Sequence, residues 1–115
     1  MKSKVQFRLR ILRDDDIAIG PGKVALLEAI AETGSISAAA RQLGMSYRRA
    51  WLLVDEMNHA FTAPPVQTAA GGARGGGTAL TPVGTALVRH YRAVESTARV
   101  AAAADIAALT RLLAP

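Results

Sequence analysis

The sequence predicts a mainly α-helical domain with a small β component, and three observations carry that prediction. Apolar residues recur at helical spacing over four stretches, each introduced by a capping residue or a proline. Two shorter regions instead show strand-like patterning, one of them flanking a run of glycines. The composition is 50% hydrophobic but only 4% aromatic, so a core built from Ala, Leu, Val and Ile is expected. A length of 115 residues suits one such core and leaves no room for a second.

In chain order, Val5, Phe7, Leu9 and Ile11 alternate with Gln6, Arg8 and Arg10, which predicts a short edge strand with one basic face. Asp14, Asp15 and Asp16 interrupt it. Side chains of consecutive residues diverge and no second ligand cluster supports them, so they read as a solvated turn rather than a cation site. Gly20 and Pro21 suit the N-cap and first position of a helix, since proline lacks only an N–H that would be unpaired there. Val24, Leu27, Ile30 and Ala31 form its apolar face, and Gly34 supplies the stop. Ser35 or Ser37 caps a second, very short helix through Ala38, Ala39, Ala40 and Leu43, ended by Gly44. Ser46 caps a third from Tyr47 to about Ala60, with Ala50, Leu53, Val54 and Met57 facing inward.

Pro64 and Pro65 end the helical region. Residues 66–70 and 78–81 read as paired strands around Gly71–Gly77, where five glycines in seven positions make a pliable loop with Arg74 at its tip. Thr81 and Pro82 open a last helix, predicted to run from 82 to 113, with Leu87, Tyr91, Val94, Ala98 and Ala101 in a heptad-like stripe continued by Ile106, Leu109 and Leu113. Such a stripe exposed on one helix calls for a second copy of the chain. The domain thus divides into 1–34 (strand and first helix), 35–60 (two helices and a tight turn), 66–81 (hairpin) and 82–113 (dimerisation helix).

Lys and Arg number 14 against 9 Asp and Glu, a net charge of +5 that favours an anionic partner. The absence of cysteine removes disulfide scaffolds, thiolate metal sites and cysteine nucleophiles together. No stretch approaches the ~18 apolar residues of a membrane span and the N-terminus has no signal-peptide pattern, so a cytoplasmic protein is expected, with no membrane partner. His59 and His90 stand apart from other ligand-type residues, and no G-x-S-x-G elbow is present, so neither a metal, a cofactor nor a catalytic function is expected.

The segment from Ser35 to Ala60 carries the function. Ala39 and Ala40 are small enough for two helices to cross closely, while Leu43, Met45, Ala50 and Leu53 fill the space beneath the turn. The start of the third helix is then left exposed. There Ser46, Tyr47, Arg48 and Arg49 project from the positive end of the helix dipole, where phosphates or base edges of double-stranded DNA can lie. Arg48 is the first candidate for base contact by helical spacing; Arg49 suits a base or a phosphate equally. Tyr47 suits a phosphate hydrogen bond, and Trp51 is expected to pack in the core rather than stack on sugar or thymine methyl groups. The glycine-rich hairpin follows at the distance of a wing, so the fold expected is a winged helix-turn-helix, with Arg74, Gly75 and Gly76 meeting the flanking backbone. The same loop lacks both G-x-x-x-x-G-K-[ST] and G-x-G-x-x-G, which argues against a nucleotide site. Six arginines (Arg41, Arg48, Arg49, Arg74, Arg89, Arg92) against Asp55 and Glu56 put +4 of the net charge between Ser35 and Arg92.

The run Gly34-Ser35-Ile36-Ser37-Ala38-Ala39-Ala40-Arg41-Gln42-Leu43-Gly44-Met45-Ser46-Tyr47-Arg48-Arg49-Ala50-Trp51, then Glu56-Met57-Asn58, the Gly71–Gly77 loop and Leu80-Thr81-Pro82-Val83-Gly84, resembles the DNA-binding domain of ModE-type molybdenum-responsive regulators. The Ser-Tyr-x-x-Ala-Trp and Met-Asn pieces are more specific than the helix-turn-helix pattern shared with LysR-type regulators. The resemblance implies a homodimer on an inverted-repeat operator, with Ser35, Ser37, Ser46, Tyr47, Arg48, Arg49, Arg74, Gly75 and Gly76 as DNA-binding residues. Thr68 stands where the wider family tends to have arginine. ModE-type regulators usually carry an oxyanion-binding region after this domain, whereas this sequence stops at Pro115, which leaves molybdate or tungstate as a ligand only if the dimer itself binds it. The competing expectation is a winged-helix interaction module that does not read DNA.

Overall fold

The computed structural model describes residues 2–69 and 77–115, in the order β1 (Ile11–Arg13), β2 (Asp16–Ile19), α1 (Pro21–Thr33), α2 (Ile36–Leu43), α3 (Tyr47–Ala60), β3 (Val66–Thr68), β4 (Thr78–Leu80), α4 (Pro82–Ala101) and α5 (Ala103–Arg111). The two sheets are separate antiparallel pairs, β1 with β2 and β3 with β4. The mainly α winged helix-turn-helix predicted from the sequence is the fold observed.

The core gathers around α1. Val24, Leu26, Leu27, Ala29 and Ile30 are buried, joined by Ile36, Ala39 and Ala40 of α2 and Ala50, Leu53, Val54 and Met57 of α3. Leu26 and Ala29 widen the buried face beyond the predicted stripe, and Ala31, placed on that stripe by its spacing, is exposed. The helix ends follow local chemistry. Gly34 and Gly44 stop α1 and α2 at φ 71° and 68°, a left-handed backbone that costs glycine little. Ser35, not Ser37, caps α2 by accepting from the Ala38 amide, while Ser37 lies inside the helix and accepts from Arg41.

The N-terminal region departs from the predicted strand at 5–11. The strand begins only at Ile11 and turns at Asp14, which adopts φ 54°, to pair Arg13 with Asp16. Residues 2–10 take no strand assignment. Their alternation is nonetheless real: Phe7 and Leu9 are half-buried while Gln6, Arg8 and Arg10 are exposed. The partner is α4. The Tyr91 hydroxyl donates to the Leu9 carbonyl at 2.8 Å, and the Arg99 guanidinium lies 5.0 Å from the Phe7 ring centre.

The C-terminal helix also departs from expectation. Instead of running unbroken to 113, it is interrupted at Ala102 (φ −97°, ψ 7°) and resumes as α5. Tyr91 is buried, yet Val94 and Val100 are exposed and α5 buries no residue at all. This projecting arm lengthens the molecule to 57 × 30 × 23 Å, with a radius of gyration of 17.0 Å. A compact chain of this length would have about 13 Å.

Candidate nucleic-acid interface

Ser46 caps α3, its hydroxyl accepting from the Arg49 amide at 3.1 Å. Below it Ala50, Leu53, Val54 and Met57 point inward. At 3.6 residues per turn, Arg48 lies about 160° around the helix from Ala50, facing away from the core. Ser46, Tyr47, Arg48 and Arg49 are all exposed and share the first turn, as the sequence predicted. No acidic residue stands in that turn, so the positive end of α3 is unopposed there; Asp55 and Glu56 follow two turns later.

Trp51 corrects an expectation. Instead of entering the core it is 38% exposed on the outer surface, its ring 6.2 Å from that of Tyr47 at 60°. The reason is angular: the inward face is already occupied by Ala50 and Val54, and residue 51 falls about 100° from Ala50. Leu52, on the other side of Arg48, is 54% exposed.

The wing is anchored to α3 by a residue to which sequence reasoning gave no role. Asn58 donates from Nδ2 to the Val66 carbonyl at 3.2 Å and accepts from the Val66 amide at 3.1 Å, imitating a strand partner for β3. Only the Met-Asn piece of the resemblance pointed to it. At the wing base, the Thr78 amide donates to the Gly34 carbonyl and the Ala69 amide to the Gly77 carbonyl. Gly84, at the start of α4, is so close to the residue preceding β3 that a Cβ there would stand 2.2 Å from the Pro65 carbonyl oxygen. Arg74, Gly75 and Gly76 lie outside the described residues.

The opposite flank of α3 faces the β1–β2 hairpin across an open groove of about 930 Å³, with Arg8, Arg10, Arg13 and Arg49 among the cations on its walls. The carboxylates of Asp15, Asp16, Asp55 and Glu56 share it. Lys23 is nearly buried there, donating to the Ile17 carbonyl with Glu56 at 3.8 Å. His59, expected to stand alone, has the Asp55 carboxylate 3.5 Å away one turn earlier, in an exposed pair. Ser35 and Ser37 sit at the start of α2, where the Ser35 hydroxyl accepts from the Ala38 amide and the Ser37 hydroxyl from Arg41, so both belong to α2 rather than to the α3 cluster.

A second surface runs along α4 and α5. Val94, Val100, Leu109, Leu112 and Leu113 are exposed, and Val94 also lines an apolar groove of about 250 Å³ between Leu9, Ile11 and Ile19 on one side and Leu87 and Tyr91 on the other. Arg92 braces this helix against α1, forking to Glu28 and to Glu95, and the hydrogen bond to Glu28 holds its pKa above the ordinary guanidinium value. Among the described residues no helix is long and apolar enough to cross a membrane.

The model of the bacterial regulatory helix-turn-helix protein family of LysR type matches residues 22–85, from the start of α1 into α4. The molybdenum-pterin-binding protein MopB of Rhodobacter capsulatus is 49% identical over 86 residues, 75% of this chain and 32% of that protein. The molybdenum transport protein ModE of Azotobacter vinelandii is 42% identical over 92 residues, 78% of this chain and 34% of its own length. The DNA-binding transcriptional dual regulator ModE of Escherichia coli K12 is 42% identical over 71 residues, 62% of this chain and 27% of its own. The chain therefore spans about a third of the length of the curated relatives it matches.

Proposed function

The chain belongs to the LysR-type family of bacterial regulatory helix-turn-helix proteins, and from that premise we propose that it is a ModE-like, sequence-specific DNA-binding transcriptional regulator. It acts as a homodimer on an inverted-repeat operator, with α3 in the major groove and the glycine-rich wing on the flanking backbone. The observation that carries this reading is the first turn of α3, where Ser46, Tyr47, Arg48 and Arg49 are all exposed while Ala50, Leu53, Val54 and Met57 anchor the helix in the core. Arg48 reads a base edge, since a guanidinium can grip guanine O6 and N7 together, and Arg49 neutralises a phosphate. The apolar groove under Leu9 and Tyr91, with Val94 on its wall, and the exposed apolar residues of the distal arm form the surface between the two copies.

The relatives' names connect them to molybdenum, and we extend to this chain a place in molybdenum-related gene control inside the cytoplasm, with no enzymatic step. The test is selection of duplexes from a random pool followed by titration at several salt concentrations. The reading expects an enriched inverted repeat with half-sites about one helical turn, or a multiple, apart, and affinity that falls steeply with salt. Equal affinity for enriched and scrambled duplexes would contradict it and favour a protein-interaction module. Direct oxyanion sensing would instead appear as a molybdate-dependent rise in melting temperature of the chain alone.

A further inference from the structure

The reading helix offers the DNA more than cations. Tyr47, Trp51 and Leu52 are 54%, 38% and 54% exposed within six consecutive residues, and they flank Arg48 on the outer surface of α3. A single exposed apolar residue needs no explanation, but a cluster on one exposed helix surface marks a contact. The core does not need these three side chains, because Ala50, Leu53, Val54 and Met57 fill the inward face. The apolar surface assigned above to the second copy belongs to other elements, α4 and α5.

Resting on the DNA-reading proposal, we infer that Tyr47, Trp51 and Leu52 recognise the 5-methyl groups of thymines on either side of the base addressed by Arg48. Desolvation selects the methyl group. Base edges in the major groove present hydrogen-bonding donors and acceptors, and the thymine methyl is the one apolar group among them. An indole or leucine side chain entering the groove beside Arg48 strips water from whatever it meets. Against N7, O6 or an exocyclic amine that removes a polar group's hydration without replacing it; against a methyl group both partners gain. The α3 surface is thus matched to half-sites with thymines flanking the Arg48 position. Leu52 and Trp51 lie about 100° apart around the helix, with Arg48 between them, so their contacts fall on different base pairs.

The experiment replaces each thymine of a pool-selected duplex by deoxyuridine, which removes the methyl group and nothing else. With the unaltered chain, one or two thymines per half-site should lose about fourfold in affinity on replacement, the worth of burying one methyl-sized group. Trp51→Ala and Leu52→Ala, both at exposed positions, should each abolish the penalty at one of those thymines while leaving the melting temperature within a few degrees. Deoxyuridine tolerated at every position, with a preferred sequence still selected, would overturn this inference and leave the DNA-reading proposal standing. Trp51→Ala weakening selected and scrambled duplexes equally would also overturn it, since the ring would then be serving the backbone. A pool that yields no preferred sequence would remove both proposals together.

Discussion

Two helical surfaces of this molecule expose large apolar side chains, and their surroundings differ. On α3, Tyr47, Trp51 and Leu52 stand beside Arg48 and Arg49 at the positive end of a helix whose first turn holds no acidic residue. On the distal arm, Val100, Leu109, Leu112 and Leu113 stand among alanines, with Asp105 and Arg111 balancing each other between residues 100 and 113. The first surface suits a partner that is anionic with apolar spots; the second suits another apolar surface. Exposure alone does not identify a partner, but exposure read together with local charge does.

The largest effect should come from breaking the second surface. Val100→Asp combined with Leu109→Asp would force carboxylates into a dry contact and should weaken self-association by roughly a hundredfold or more, at least about 3 kcal/mol. Sedimentation equilibrium reads this directly, and a dimer that survives the double substitution would show that the arm has another role. Arg48→Ala attacks the first surface and should cost about 1–3 kcal/mol on the selected duplex, roughly 5- to 150-fold, while self-association is unchanged. If sequence preference persists, the base contact belongs elsewhere.

Asn58→Ala sharpens the comparison, because it touches neither surface yet unhooks the wing from α3. Loss of both hydrogen bonds to Val66 should lower stability by about 1–2 kcal/mol, measured by urea unfolding. Arg74→Ala should weaken all duplexes similarly and reduce the salt slope by about one. The smallest effect is expected at Tyr91→Phe, about 1 kcal/mol through the lost bond to Leu9. Burial, then the charge of Glu95, holds the Tyr91 hydroxyl above its ordinary pKa of 10.0, against the opposing pull of Arg92 and Arg10. Since the folded state favours the neutral phenol, the contribution of Tyr91 is complete below pH 10 and lost as pH rises through the folded value. The Tyr91→Phe variant should lack that alkaline loss in a melting series.

What the sequence revealed was local chemistry. Gly20-Pro21, Gly34, Ser35, Gly44, Ser46 and Thr81-Pro82 define helix ends through caps and backbone conformations that depend on a few neighbouring residues, and the observed helices begin and end there. What it concealed was tertiary. The alternation at residues 5–11 arises from docking against Tyr91 and Arg99, more than 80 residues away, so it imitates a strand without pairing as one. The break at Ala102 lies in a run of alanines, which favour helix equally on both sides and carry no signal for a stop. Hydrophobicity alone misplaces Trp51 in the core, although its position on the helix, between the inward and outward faces, points to the surface. The prominence of Asn58 depends on where β3 lands, which no local pattern specifies.

The proposed function requires the outer surface of α3 to lie in the major groove. Methylation of guanine N7, which projects only into that groove, tests it on a selected duplex. Interference is expected in two patches about one helical turn, or a multiple, apart, with at least one guanine in each patch losing its effect when the chain carries Arg48→Ala. Binding indifferent to N7 methylation at every guanine, with interference only from minor-groove modification, would contradict it.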